Sequence, residues 1–295
     1  MTAIAGSADV PTTVVQVAKA RRKRRAATMA LGLLAWVIGI VFVVPILYMV
    51  LTSLHHPSDA QTYPPSWGAP LTFTNYKGLF ATSDGIAAPL LNSLFTSIVS
   101  TLIVLALAIP AAYALAVKPV RRWTDAMFFF LSTKMLPMVA GILPIYLFTT
   151  KVVHMPDNVF VLVVIYTAMN LPIAVWMMRS FLAEVPTAIV EAASIDGAGT
   201  MTIMSRIIGP IAMPGVAATS LICFIFAWNE QLYAKVLTSV TAQTAPVFVN
   251  TLIQTEHSYL GQLSAGATMV SIPVLIAGFA AQDKLVQGLS LGAVK

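Results

Sequence analysis

Charge is scarce in this 295-residue chain: only 9% of its residues are Asp, Glu, Lys or Arg, against roughly 25% in ordinary soluble domains. So few charged groups cannot cover a water-soluble globule, and with 58% of the residues hydrophobic the chain reads as a polytopic membrane protein. Cysteine occurs once, as Cys223 inside an apolar run. That excludes an intramolecular disulfide and a cysteine-rich metal site, and points to a buried apolar thiol. The histidines His55, His56, His154 and His257 are scattered over loops, without the i, i+4 spacing or acidic neighbour of a zinc hydrolase. No Gly-Lys dipeptide is present, so there is no phosphate loop of the Walker type. Residues 1–20 lack the short apolar core and small-residue cleavage site of a signal peptide.

What the chain has instead is long apolar runs. Windows of about 20 mostly apolar residues, the length that crosses a hydrocarbon core of roughly 30 Å, fall near 29–54, 91–117, 126–149, 159–178, 211–233 and 265–281. The expected fold is all-α, an integral membrane protein of six transmembrane helices. It follows a basic tail over 1–28 that reads as disordered, with the six-span body over 29–295. Pro45, Pro110, Pro137, Pro144, Pro172 and Pro273 lie within these runs, where neighbouring helices can satisfy the freed carbonyls, so kinks are expected and breaks are not.

Orientation follows from the basic residues near the span ends. Lys19, Arg21, Arg22, Lys23, Arg24 and Arg25 precede the first span; Lys118, Arg121 and Arg122 follow the second; Arg179, Arg206, Lys284 and Lys295 complete one side, whereas Lys77 and Lys151 lie on the other. Both termini are therefore expected in the cytoplasm, in a multi-pass protein of the plasma membrane. This asymmetry accounts for the net charge of +6 without nucleic-acid binding, and an anionic-lipid anchor is the plainer role for the basic run. On the outer side, the segment with Pro246, Asn250, Gln254, Glu256, His257 and Tyr259 has the aromatic and hydrogen-bonding composition of a protein-facing or sugar-facing surface.

One polar, glycine-broken segment, 184–210, interrupts the apolar runs on the cytoplasmic side. On a helix at about 100° per residue, Glu184, Thr187, Glu191 and Ser194 share one face, with Val185, Ile189, Ala192 and Ala193 on the other. Pro186 suits a first helical turn, Gly197 and Gly199 would stop the helix, Thr200 would cap a second short one, and Pro210 would force its exit. Two short helices around a glycine bend form a docking protrusion; an amphipathic helix lying on lipid headgroups is the alternative.

Glu191-Ala192-Ala193, Gly197, Ile207 and Pro210 match in register the EAA loop of the membrane subunits of binding-protein-dependent ABC importers. Gly209 stands where that motif has leucine. Asn92-Ser93, Ala111-Ala112-Tyr113-Ala114-Leu115-Ala116, Pro144-Ile145-Tyr146-Leu147, Trp228-Asn229-Glu230 and the terminal Gly288-Leu289 and Gly292-Ala293-Val294-Lys295 resemble the maltose-type carbohydrate permeases. Ser132-Thr133-Lys134-Met135-Leu136-Pro137 and the terminal run are similar to the sorbitol and mannitol branch. The resemblance implies the type I importer permease fold and import of a sugar or sugar alcohol, a polyol such as sorbitol or mannitol or a disaccharide. It also implies a second homologous permease subunit forming a heterodimer, a solute-binding protein that delivers substrate, and a separate ABC ATPase dimer that binds ATP and Mg, with no cofactor on this chain and no enzyme activity of its own. Glu191, Ala192, Ala193, Asp196 and Gly197 would couple to the ATPase. Asn250, Gln254 and Tyr259 would meet the binding protein.

Polar groups inside apolar spans cost about 2.5–3.5 kcal/mol when charged and usually face a cavity or a partner. Lys134, Asn170, Trp228, Asn229 and Glu230 are therefore the expected substrate pathway, with Lys134 and Glu230 as a candidate charge pair and Trp228 and Tyr233 alternatively as interfacial anchors. An ion-coupled secondary transporter is the competing class, though the two halves of the sequence show no internal repeat of the kind such folds carry.

Overall fold

The computed structural model of the chain describes the backbone of residues 12–64, 66–81, 85–117, 120–254 and 260–293, and side chains over 27–64, 66–81, 85–117, 120–253 and 260–282. The described chain is almost wholly helical. In order come α1 (Thr12–Ser53), α2 (Thr74–Phe80), α3 (Ala87–Ala116), α4 (Trp123–Lys134), α5 (Met138–Val152), α6 (Val159–Leu182), α7 (Thr187–Ile195), α8 (Thr200–Trp228), α9 (Leu232–Leu237), α10 (Ala245–Gln254) and α11 (Leu260–Ala293). Five helices are long and apolar enough to cross a membrane, and α4 with α5 form a sixth, bent crossing.

The centre is a trio of α3, α6 and α8. On α3 the buried positions Ser93, Thr96, Ser97, Ser100, Thr101, Val104, Ala108 and Ala112 recur every three or four residues, a single stripe of small side chains. With no hydrophobic drive between helices in lipid, such a stripe lets backbones approach closely enough for dispersion to hold them. Its hydroxyls are satisfied in part by the helix itself, Thr96 Oγ1 donating to the Asn92 carbonyl at 2.8 Å. Gly215 of α8 serves the same close approach, because a Cβ there would lie 2.4 Å from Cγ of Phe181 on α6. By contrast, α1 is peripheral and exposes Trp36, Phe42 and most of its apolar length, the surface expected of a helix against lipid or another membrane subunit.

Three expectations change. The run 126–149 is not one helix. Its axis bends by 82° between Lys134 and Met138, because Pro137 sits at ψ 124° as the cap of α5 and disfavours helical geometry in the residue before it. Pro45, Pro110, Pro144, Pro172 and Pro273 do stay inside helices. Next, Pro210 does not force an exit: Thr200–Trp228 runs on as one helix. A π turn over Ile203–Ile208 precedes the proline, and this wider turn makes room for a ring that an α turn would press against the carbonyl four residues back. Lastly, α1 begins at Thr12, so much of the basic stretch expected to be disordered is helical backbone.

The helix ends fall into two sets. Asn75 of α2 donates to the carbonyls of Ser53 and His55 at 2.9 and 2.7 Å, Asn92 of α3 to those of Thr241 and Gln243, and Asp157 before α6 accepts from residues 239–242. At the opposite ends, the Arg179 guanidinium of α6 lies 3.8 Å over the ring of Trp123 at the start of α4. Because α4 begins in this second set and α5 leads into Asp157 in the first, the bent pair traverses the bundle and is not re-entrant. Lys235 of α9 joins Lys77 and Lys151 on the poorer side of the charge count.

Candidate functional site

Two sites stand at different depths of the bundle. The first is the protrusion after α6. Pro186 caps α7, and the helix closes in a Schellman arrangement: the Ala198 N–H reaches back to the Ala193 carbonyl at 3.0 Å, with Gly197 at φ +80° between them. Only glycine adopts that left-handed conformation without cost, so the Gly197 match has a backbone reason. Gly199, not Thr200, occupies the cap position of α8.

Glu184, Thr187, Glu191 and Ser194 are all exposed, and Glu191 and Asp196 have no ion-pair partner among the described residues. The buried side differs from the expected one. Val185 and Ala193, with Val190 beside them, pack into a cluster with Ala112 and Tyr113 of α3, Met178 and Leu182 of α6, and Ile203, Ile208 and Ala212 of α8, while Ile189 and Ala192 face outward. A load applied to α7 therefore reaches the ends of all three central helices through contiguous packing.

Gly209, at the motif's leucine position, ends the π turn; its N–H bonds the Met204 carbonyl. A Cβ at this position would sit 3.2 Å from that oxygen. The departure from the motif thus has a local cause in this backbone.

The second site is a cavity of about 680 Å³ between α4, α5, α6, α8 and α9, lined by Lys134, Asn170, Asn229 and Glu230 among apolar residues such as Met138, Met169 and Phe226. Four of the five residues expected on a substrate path meet there. A neighbouring cavity of about 500 Å³ opens at the α4–α5 break and shares Lys134, Met138 and Met169. These volumes lie within the ordinary range of small-molecule sites.

Trp228 is not part of either cavity. It is buried, donates Nε1–H to the Val270 carbonyl at 3.1 Å and stacks on Phe224, tying α8 to α11. Tyr233 is no interfacial anchor, since it is buried and its hydroxyl donates to the Met138 carbonyl at 3.1 Å. Lys134 and Glu230 do not pair; the one ion pair among the described residues is Arg122 with Asp125. Glu230 instead accepts from the N–H groups of Tyr233 and Ala234 at 2.9 and 3.2 Å, capping the first turn of α9 from just outside it. Asn170 spends a donor on the Cys223 carbonyl, a long 3.4 Å bond, and Asn229 turns back on Ile225.

Asn250 lies in α10 and is partly buried, Gln254 ends that helix, and Tyr259 falls outside the described residues. Asp157, absent from the sequence expectations, is the most heavily hydrogen-bonded carboxylate of the described chain. Its partners lie more than 80 residues away, and sequence spacing carries no trace of them.

Comparison with known proteins agrees with this geometry. Residues 105–291 match the profile described as "Binding-protein-dependent transport system inner membrane component". The "Probable ABC transporter permease protein y4oR" of Sinorhizobium fredii is 35% identical over 259 residues, covering 88% of this chain and 92% of its own. The trehalose transport system permease protein SugB of Mycobacterium tuberculosis is 30% identical over 85% of this chain and 92% of its own. Among solved structures, a bacterial ABC transporter that imports the acidic polysaccharide alginate has the same fold, with TM-score 0.71 at 21% identity over 90% of this chain and 98% of that one. The methionine transporter MetNI aligns over 68% of this chain and 94% of its own with TM-score 0.54 at 18% identity. With more than half the chain inside the family profile, the protein belongs to the inner membrane components of binding-protein-dependent transport systems, the permease subunits of ABC importers.

Proposed function

We propose that this permease moves a carbohydrate through the Lys134–Glu230 cavity, driven by ATP and Mg bound on a separate ATPase dimer that grips α7. The observation that carries the reading is the outward-facing Glu191 on a helix whose other side is packed into α3, α6 and α8. An ATPase groove with an Arg or Lys opposite Glu191 would bind the protrusion more tightly in one nucleotide state than in another, and only such differential affinity shifts a conformational equilibrium. The chain itself then binds no nucleotide and hydrolyses nothing.

A second homologous permease completes the pathway, and a solute-binding protein delivers substrate to the side carrying α10, with both termini in the cytoplasm. Asn250, Gln254 and Tyr259 remain the candidates for that contact. Relatives named for trehalose, diacetylchitobiose and sulfoquinovosyl glycerol support a sugar or short oligosaccharide. The Ser132–Pro137 likeness adds sugar alcohols.

Purification of the tagged chain tests the assembly: recovery with an ATPase and a homologous permease is expected, whereas proton- or sodium-driven uptake by the chain alone in vesicles would refute it. Glu191→Lys is expected to insert normally and to abolish ATP-driven uptake. Competition of uptake by trehalose, chitobiose, sorbitol and mannitol assigns the substrate.

A further inference from the structure

The segment between α9 and α10 is bound from two directions. Asp157 accepts, on Oδ1, the N–H groups of Ser239 at 2.9 Å and Ala242 at 3.0 Å. Oδ2 accepts those of Val240 at 3.1 Å and Thr241 at 2.9 Å and the hydroxyls of Ser239 and Thr241 at 3.0 and 2.8 Å. The Thr241 hydroxyl also reaches the Asp157 carbonyl, and the Asp157 N–H donates to the Leu237 carbonyl. Asp157 stands at φ 53°, a left-handed conformation that aspartate visits more readily than most residues. From the other direction, the Asn92 side chain at the start of α3 donates to the carbonyls of Thr241 and Gln243 at 2.8 and 3.0 Å, and the Ala245 N–H donates to Ser93 Oγ at 2.8 Å.

Upstream of this knot lies α9, whose first turn Glu230 caps from the wall of the 680 Å³ cavity. Downstream α10 begins at Ala245. The knot thus fastens the cavity wall, the start of α6 and the start of α3 to the base of α10. A carboxylate holding six donors from four consecutive residues fixes a loop far more tightly than the single hydrogen bonds typical of loop anchors, because charged acceptors make the stronger bonds and each donor constrains a different residue.

From this geometry we infer that Asp157 is a positioning residue for recognition: it holds the α9–α10 loop so that α10 meets the solute-binding protein in a fixed pose already registered with the cavity beneath it. The inference rests on the proposed delivery of substrate to this side. Without the carboxylate, four backbone N–H groups lose their acceptor, the loop exchanges among conformers, and only the fraction in the bound pose can dock; apparent affinity then falls by that fraction. Basal turnover, set at the opposite end of the bundle around α7, stays the same. Asparagine is no substitute, since in either orientation its NH₂ faces N–H donors.

The test uses the complete transporter with its ATPase in nanodiscs, titrated with sugar-loaded binding protein while ATPase rate is followed. For Asp157→Ala and Asp157→Asn, the concentration of binding protein giving half-maximal stimulation should rise roughly tenfold, with basal and saturated rates within twofold of wild type. Amide hydrogen exchange at residues 239–242 should accelerate in the same samples. Faster exchange with an unshifted titration overturns the positioning role, as does an equal loss of basal and saturated rates, which would mark the knot as general scaffolding. Unchanged exchange overturns the anchor itself. Should wild type fail to respond to binding protein, the delivery reading falls while the exchange arm still decides whether Asp157 holds the loop.

Discussion

Gly215 on α8 offers a sharp test of how the central helices meet. A methyl group there would lie 2.4 Å from Phe181 Cγ and 2.7 Å from both Cβ and Cδ2, whereas non-bonded carbons settle at about 3.5–4.0 Å. The deficit is about 1 Å against atoms at the root of the ring, so rotation of the side chain cannot remove it and α6 and α8 must separate. Overpacking of this kind costs about 1–3 kcal/mol. Alanine regains up to about 1 kcal/mol over glycine as a helix former, which leaves a net loss of about 0–2 kcal/mol. Phe181 is in the last turn of α6, immediately before the Glu191 protrusion, so the separation should also weaken ATP-driven uptake. The assay is a double-mutant cycle, with thermal midpoint read on the purified transporter in detergent and uptake read after its reconstitution into sealed vesicles. Phe181→Ala removes the contacts to the ring and keeps only the one to Cβ, so Gly215→Ala should cost less in that background by about 1 kcal/mol, the size typical of touching residues. Additive effects of the two substitutions, or a Gly215→Ala protein more stable than wild type, would refute the close approach.

Glu230→Ala should destabilise α9 by about 0.5–2 kcal/mol, the worth of a helix cap, because the N–H groups of Tyr233 and Ala234 lose their acceptor; a fall in thermal midpoint together with faster exchange at those two amides is the expected result. Gly209→Leu should bring none of the gain of about 1 kcal/mol that leucine ordinarily has over glycine in a helix, since its Cβ meets the Met204 carbonyl; a rise of several degrees in midpoint would contradict the π turn. Partial burial alone would raise the Asp157 pKa, but the N–H groups of Ser239, Thr241 and Ala242 and the Thr241 hydroxyl outweigh it and hold the carboxyl well below the usual carboxylate range. A depressed pKa contributes stability in full above the unfolded value of about 3.9 and loses it as pH falls below that. The difference in thermal midpoint between wild type and Asp157→Asn should accordingly be flat from pH 5 to 8 and shrink only below about pH 4.

Features with a local cause were legible from the residues alone. Long apolar runs gave the spans, the excess of Lys and Arg between alternate spans gave their grouping, and Gly197 with Gly199 announced a helix stop, which the structure forms with Gly197 in the left-handed conformation. Features that depend on a partner distant in the chain were not. Glu230 resembled half of a charge pair, yet its place three and four residues before Tyr233 and Ala234 carries the cap signal in plain sight. Trp228 shared a motif with Asn229 and Glu230, but adjacent helical residues point about 100° apart, and packing against α11 took it away from the cavity. The π turn before Pro210 and the break at Pro137 illustrate opposite resolutions of one conflict, in which a proline is either accommodated by widening the helix or placed at a new helix start. Composition does not distinguish the two.

The break at Pro137 also sets the chemistry available at mid-depth. At about 1.5 Å per residue, the 12 residues of α4 reach about 18 Å, well short of a hydrocarbon core of about 30 Å, and α5 departs from its direction by 82°. Each helix end leaves backbone groups without an intrahelical partner, and such groups are tolerated at that depth only where they line a wet space or are covered by protein. On the proposed substrate route, the main chain around Lys134 and Met138, both in the walls of the two cavities, would itself supply donors and acceptors to passing hydroxyl groups. Polarity of this origin is indifferent to side-chain identity, so on that route the lining residues could be exchanged to suit one solute or another without removing it.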